Sequence, residues 1–264
     1  MILVDSHVHF YTEAYKEDLE VVMQKAFAND VNYFLLPGIS SSHQKAINAM
    51  AETYPDSCFP MIGLHPTDVF QNYRDELNFI QQELSQPNPY IALGETGLDL
   101  HWDEQFLQEQ KNAFAQHLQW AIDYNLPLSI HVRKAFNEAF EVLNDFKGQN
   151  LKGVFHCFSG SIEQAKEVIK YGFSLGISGV LTYKNGRVLK EVAAYFPLED
   201  MVLETDAPWL SPEPYRGKRN DSSNIRVIAE TLAQIKGVSI EQLAEITTAN
   251  CFRIFDKMQY LFQK

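Results

Sequence analysis

The chain has 264 residues, 45% hydrophobic and 21% charged, with a formal net charge of −12. That length and apolar content can bury a full core and suit a single α/β domain spanning residues 1–264. No apolar run reaches the roughly 18 residues of a membrane span. The acidic balance disfavours a protein that grips duplex nucleic acid over a wide surface, because neutralising phosphates needs many cations. Any polyanion would have to be held locally. Cys58, Cys157 and Cys251 are scattered, odd in number and without CxxC spacing, which predicts reduced thiols in a cytoplasmic protein. Asp5 and His7 arrive before any basic or apolar leader could form, so no secretory signal is expected.

In chain order, eight apolar, β-favouring runs alternate with helix-like stretches: Ile2–Phe10, Asn32–Pro37, Cys58–Leu64, Tyr90–Leu93, Pro127–Val132, Gly153–Phe158, Gly172–Ile177 and Met201–Leu203. After the first, Leu19, Val22, Met23, Ala26 and Phe27 recur with the spacing of a helix that buries one face. After the fourth, Leu107, Phe114, Leu118, Ala121 and Ile122 do the same. The strand runs are continuously apolar, as in Tyr33-Phe34-Leu35-Leu36, which suits a parallel sheet covered by helices. Eight βα units predict a (β/α)8 TIM barrel. The rival, a doubly wound sheet, would carry a glycine-rich loop after its first strand, where this chain has His7-Val8-His9-Phe10.

Barrel enzymes place their chemistry where strands run out into βα loops. His7 and His9 close the first strand, and residues i and i+2 of a strand share a face, roughly 6.6 Å apart. His65 follows the third strand, Glu95 and Asp99 end the fourth, and His131 and Arg133 lie on the fifth. His156 ends the sixth and Glu204 and Asp206 the eighth, while the second and seventh offer no ligand. Five of the eight histidines thus gather at one end of the predicted barrel. Four histidines with a Glu and an Asp suit two divalent ions, Zn, Mn or similar, with Mg favoured only if carboxylates and waters dominate. Glu95 is the best-placed bridge between them. Such a centre would make a hydroxide nucleophile from bound water, with Asp206 as metal ligand and proton acceptor.

At this point the chain resembles the TatD family of metal-dependent hydrolases, within the amidohydrolase-like barrel superfamily. The shared blocks are Asp5-Ser6-His7-Val8-His9, Gly63-Leu64-His65-Pro66, Gly94-Glu95-Thr96-Gly97-Leu98-Asp99, His131-Val132-Arg133, His156-Cys157-Phe158-Ser159-Gly160, Glu204-Thr205-Asp206-Ala207-Pro208-Trp209-Leu210 and Arg216-Gly217-Lys218-Arg219-Asn220. The resemblance implies one metal held by His7, His9, Glu95 and Asp206, and a second by Glu95, His131 and His156. His65 would face the substrate, at a phosphate or leaving-group oxygen. It also implies a DNase, often a 3′→5′ exonuclease, supported by Mg or Mn. The chain departs from the family where Asp221-Ser222-Ser223-Asn224 replaces an acidic residue followed by proline, which predicts a more mobile loop after Asn220.

The reading that results is a deoxyribonuclease that takes single-stranded DNA locally at the barrel mouth. Arg133, Arg216 and Lys218, with Arg219 beside them, would contact phosphates. The alternative is a small-molecule or aminoacyl-ester or amide hydrolase using the same two metals; a non-enzymatic metal-stabilised barrel is a third. Asp99 and Glu204 are expected to orient ligands, and His101 and Trp102 to border the mouth. His43 and His117 are expected on the surface, and Cys157 in the core, facing away from the ligands. No membrane or obligate protein partner is indicated, and a monomer is expected.

Overall fold

The computed structural model describes residues 1–102 and 104–260. The eight predicted strands all form: β1 (Leu3–Asp5), β2 (Val31–Leu36), β3 (Cys58–Ile62), β4 (Ala92–Asp99), β5 (Leu128–Arg133), β6 (Gly153–Phe155), β7 (Phe173–Ile177) and β8 (Met201–Leu203). They lie side by side in chain order, each parallel to the next. The sheet closes where Ser6 N donates to Leu203 O at 3.0 Å and Val8 bridges Ala207. This is a (β/α)8 barrel.

Eight helices follow the strands in turn: α1 (Leu19–Phe27), α2 (Ser41–Thr53), α3 (Tyr73–Leu84), α4 (Leu107–Asp123), α5 (Phe136–Asn144), α6 (Ile162–Lys170), α7 (Arg187–Tyr195) and α8 (Ile225–Lys236). Helix α1 buries Val22, Met23 and Ala26, as its spacing requires, and α4 buries Phe114, Leu118 and Ala121. Helix α6 starts in a reciprocal capping box between Ser161 and Gln164. Gly237, in the left-handed conformation at φ 66°, ends α8.

Strand alternation sorts the core into two layers. Leu3, Phe34, Leu36, Cys58 and Ile62 face the helices, while Val4, Leu35, Phe59 and Met61 form a separate cluster inside the barrel. A ninth helix, α9 (Ile240–Ile254), supplies Cys251 and Ile254 to that inner cluster, joined by Phe255 and Met258 from the chain beyond it. The barrel floor is therefore apolar and closed, and polar chemistry is left to the opposite end. Among the described residues no helix is long and apolar enough to cross a membrane, and all three cysteines are free thiols.

Two strands differ from expectation in ways that shape the site. β1 ends at Asp5, and His7 lies in a bend beyond it, so His7 and His9 flank the isolated bridge at Val8 and do not lie in the strand itself. β4 runs on to Asp99, but its pairing with β5 is interrupted between Leu93 and Thr96, and Glu95 sits in that interruption. Gly63 makes room for it: a Cβ there would stand 2.6 Å from the Gly94 carbonyl carbon.

Candidate metal centre

Six side chains from five strand ends converge on the mouth. His7, His9, Glu95 and His156 are buried, whereas His131 and Asp206 are partly open to solvent. The two oxygens of Glu95 face different sets of groups. Oε2 lies 3.2 Å from His7 Nε2 and 3.7 Å from His9 Nε2. Oε1 lies 2.9 Å from His131 Nδ1 and 2.7 Å from His156 Nε2. Asp206 Oδ1 completes the first set, 3.4 Å from His9 Nε2 and 3.8 Å from His7 Nε2. The sets abut, because the His7 and His156 rings stack at 3.9 Å with planes 9° apart.

Hydrogen bonds on the far side of each ring fix which nitrogen carries its proton. Tyr11 OH donates to Pro37 O at 2.6 Å, so its oxygen must accept from His9 Nδ1, 2.7 Å away. His9 Nε2 is then a bare lone pair facing the carboxylates. His131 Nε2 meets Asp99 Oδ2 at 3.0 Å, which leaves Nδ1 bare toward Glu95. His7 Nδ1 lies 3.1 Å from Ser129 Oγ. His156 Nδ1 points toward Glu204 Oε1 at 3.8 Å. The expectation that Asp99 and Glu204 stand behind ligands matches these positions; Tyr11 and Ser129 were not anticipated. Each lies two residues from a candidate ligand, which is the signal available in sequence.

This donor set fits divalent cations. Lone pairs and carboxylate oxygens converge, an arrangement that bound cations or protons stabilise. In the first set the four separations given above, with 3.1 Å between His7 Nε2 and His9 Nε2, span 3.1–3.8 Å. That brackets the edge of about 3.4 Å of a tetrahedron of ligands at about 2.1 Å. Without metal, burial drives His7 down to about 4. Burial opposes ionisation of Glu95 too, but the charges of His156, His65 and His7 outweigh it and hold that carboxyl well below its ordinary range. Burial likewise opposes protonation of His156, yet Glu95 pulls it up to about 9. Asp206 is held low by His9, His156 and His7 against its own burial.

His65 differs from the ligands. Its Nδ1 accepts the Thr67 N–H at 3.1 Å, so the neutral ring carries its proton on Nε2, 3.2 Å from Glu95 Oε1. That nitrogen is aimed into the site, where His65, Glu95 and His131 also lie close enough together to hold a cation.

The rim residues are divided. Arg133 is exposed, its guanidinium 5.6 Å from the Trp102 ring centroid. Arg216 lies over Tyr183 at 4.4 Å, and Lys218 is exposed on the same loop. Arg219 is already engaged by both carboxylate oxygens of Asp18, by Ala14 O and by the Tyr15 ring, so it ties the loop to the segment before α1. His101 is half-buried, with its N–H on Asp99 Oδ1 at 2.7 Å, and its ring meets that of Trp102.

Four expectations are corrected. His117 is fully buried, not on the surface: Nδ1 donates to Ala113 O at 2.7 Å and Nε2 accepts the Leu64 N–H at 3.3 Å. His43 is half-buried against Tyr11 and bonded to Ser40. Cys157 is not turned into the core. β6 ends at Phe155, Cys157 takes φ 44° and is partly exposed as a residue, and its thiol lies 3.2 Å from Ser178 Oγ. Burial, with Asp206 and Glu204 nearby, pushes that thiol well above its usual range. The segment after Asn220 is also tightly held. Asp221 caps a single turn, Ser222–Asn224, whose residues are buried, and Ser222 Oγ donates to Asp5 at 2.6 Å.

Barrel and donor set together define a metal-dependent hydrolase class, and comparison with known proteins narrows it. The family model described as TatD related DNase matches residues 4–256. The chain is 37% identical to the uncharacterised metal-dependent hydrolase YabD of Bacillus subtilis, over 96% of this chain and 99% of that protein. It is 35% identical to the uncharacterised metal-dependent hydrolase YcfH of Escherichia coli, over 97% and 96% respectively. Among solved structures it superposes on YjjV, a TatD homologue from Escherichia coli, with TM-score 0.90 at 27% identity, covering 96% of this chain and 98% of that one. The chain belongs to the TatD family of metal-dependent hydrolases.

Proposed function

We propose that this chain is a two-metal phosphodiesterase that cleaves DNA, acting on single-stranded ends with 3′→5′ polarity. The observation that carries the reading is Glu95, whose two oxygens each face a separate set of imidazoles. His7, His9, Glu95 and Asp206 would hold one divalent ion, and Glu95, His131 and His156 the other, as Mg, Mn or Zn. When bound, such a pair polarises a phosphoryl oxygen and activates water.

The remaining work belongs to side chains. Asp206, ionised and partly open to the mouth, takes the proton of the attacking water. His65 donates from Nε2 to a phosphoryl or leaving-group oxygen, a role that its bond from Thr67 prepares. Tyr11, Ser129 and Asp99 keep the imidazoles turned inward. Arg133, Arg216 and Lys218 offer phosphate contacts on an otherwise acidic molecule. The name of the matching family model points the same way.

The test assays 3′- and 5′-labelled single strands beside a neutral carboxylic ester, with Mg, Mn and Zn in turn. The expected result is stepwise loss from the 3′ end. Replacing Arg216 and Lys218 together with Ala should lower strand cleavage about tenfold or more relative to the ester. Ester hydrolysis without any strand cleavage would favour the ester hydrolase instead.

A further inference from the structure

Two large aromatic side chains stand exposed at the mouth without a part in the chemistry above. Trp102, 72% exposed, follows β4, and Trp209, 51% exposed, follows β8. Neighbouring strands run in chain order around the eight-stranded barrel, so β4 and β8 stand opposite each other. The two indoles therefore leave the mouth on opposite sides, with the candidate ligands between them. Tryptophan is usually largely buried, because its surface is costly to leave in water.

Both rings pack on residues around the candidate site. Trp209 meets the His9 ring edge-on at 5.0 Å, and its backbone N–H donates to Asp206 O at 3.0 Å. Trp102 packs on His101 at 4.7 Å, and the His101 N–H is fixed by Asp99, which also meets His131. Arg133 lies over the Trp102 ring. Trp209 thus touches a candidate ligand directly and Trp102 is linked to one through His101 and Asp99, and both still offer open surface.

We propose that Trp102 and Trp209 are base-stacking platforms that seat the nucleobases on the two sides of the scissile phosphodiester. This rests on the phosphodiesterase reading. A chain with net charge −12 cannot gather a polynucleotide by its overall field, whereas stacking attracts every base irrespective of charge or sequence. The Arg133 guanidinium adds a cation to the same aromatic site. Bases within a duplex are already stacked on one another, so the platforms select unpaired nucleotides on both sides of the cut.

The test compares kcat/KM for a short single strand with that for the same sugar-phosphate strand made abasic, in the unaltered protein, Trp102→Leu and Trp209→Leu. With two stacked bases, the unaltered protein should favour the base-bearing strand about a hundredfold, and each substitution should cut that ratio about tenfold. A partly misfolded variant lowers both rates and leaves the ratio unaffected. A strand cleaved equally well with and without bases, or a ratio that neither substitution moves, overturns the platforms and leaves the phosphodiesterase reading intact. If the unaltered protein cleaves neither strand while hydrolysing a neutral ester, the phosphodiesterase reading fails, and the platforms fail with it.

Discussion

At the scale of single residues, the outer hydrogen bonds of the histidines matter as much as the ligands. His9 presents a lone pair inward because Tyr11 spends its only proton on Pro37 O. Tyr11→Phe should therefore weaken metal binding about 10- to 100-fold with little change in fold, measured by calorimetric titration of the metal-free protein with Mn or Zn. His117 gives a separate prediction about pH. Burial holds it down to about 4 from an ordinary 6.5, so the fold favours the neutral ring. Its contribution is complete above pH 6.5 and is lost as pH falls toward 4, because the unfolded chain then binds the proton more readily. Replacing it with Gln should remove about 2–3 kcal/mol of the stability lost between pH 7.5 and 4.5, read from urea midpoints at both pH values. The six candidate ligands were legible because imidazoles and carboxylates at strand ends are conspicuous. The burial of His117 was not, because its second partner is the Leu64 N–H, 53 residues away in the chain.

At the scale of elements, all eight strands were legible because parallel barrel strands are continuously apolar. Their ends were not. β1 stops at Asp5 because that carboxylate turns to collect donors: His7 N, Thr205 N, Thr205 Oγ1 and Ser222 Oγ. One buried side chain thus joins the first strand, the segment after the last strand and the turn at Ser222–Asn224. The same bonds explain why the segment after Asn220 is held firmly although it contains no proline. Three of the four donors are about 200 or more residues away in the chain, and local pattern carries no trace of such pairings. Burial pushes the Asp5 carboxyl up to about 7, so its value lies in accepting bonds. Asp5→Ala would strand those donors and leave a void, and should cost about 2–4 kcal/mol, measured by denaturant unfolding of the metal-free protein.

At the scale of the whole molecule, the barrel separates structure from chemistry. Phe255, Met258 and the end of α9 close one end with apolar side chains, and the strand ends opposite gather acids and imidazoles. Part of the net charge of −12 belongs to Glu95 and Asp206, whose convergence needs compensating cations. The central claim is that Glu95 couples two cation sites. The most direct measurement is the metal content of the Mn- or Zn-loaded protein beside its Glu95→Ala variant, by elemental analysis after removal of free ions. The account predicts two ions per chain in the unaltered protein, and in the variant the loss of at least one together with the hydrolytic activity. Two ions retained at full activity in Glu95→Ala, or a single ion in the fully active unaltered protein, would contradict it.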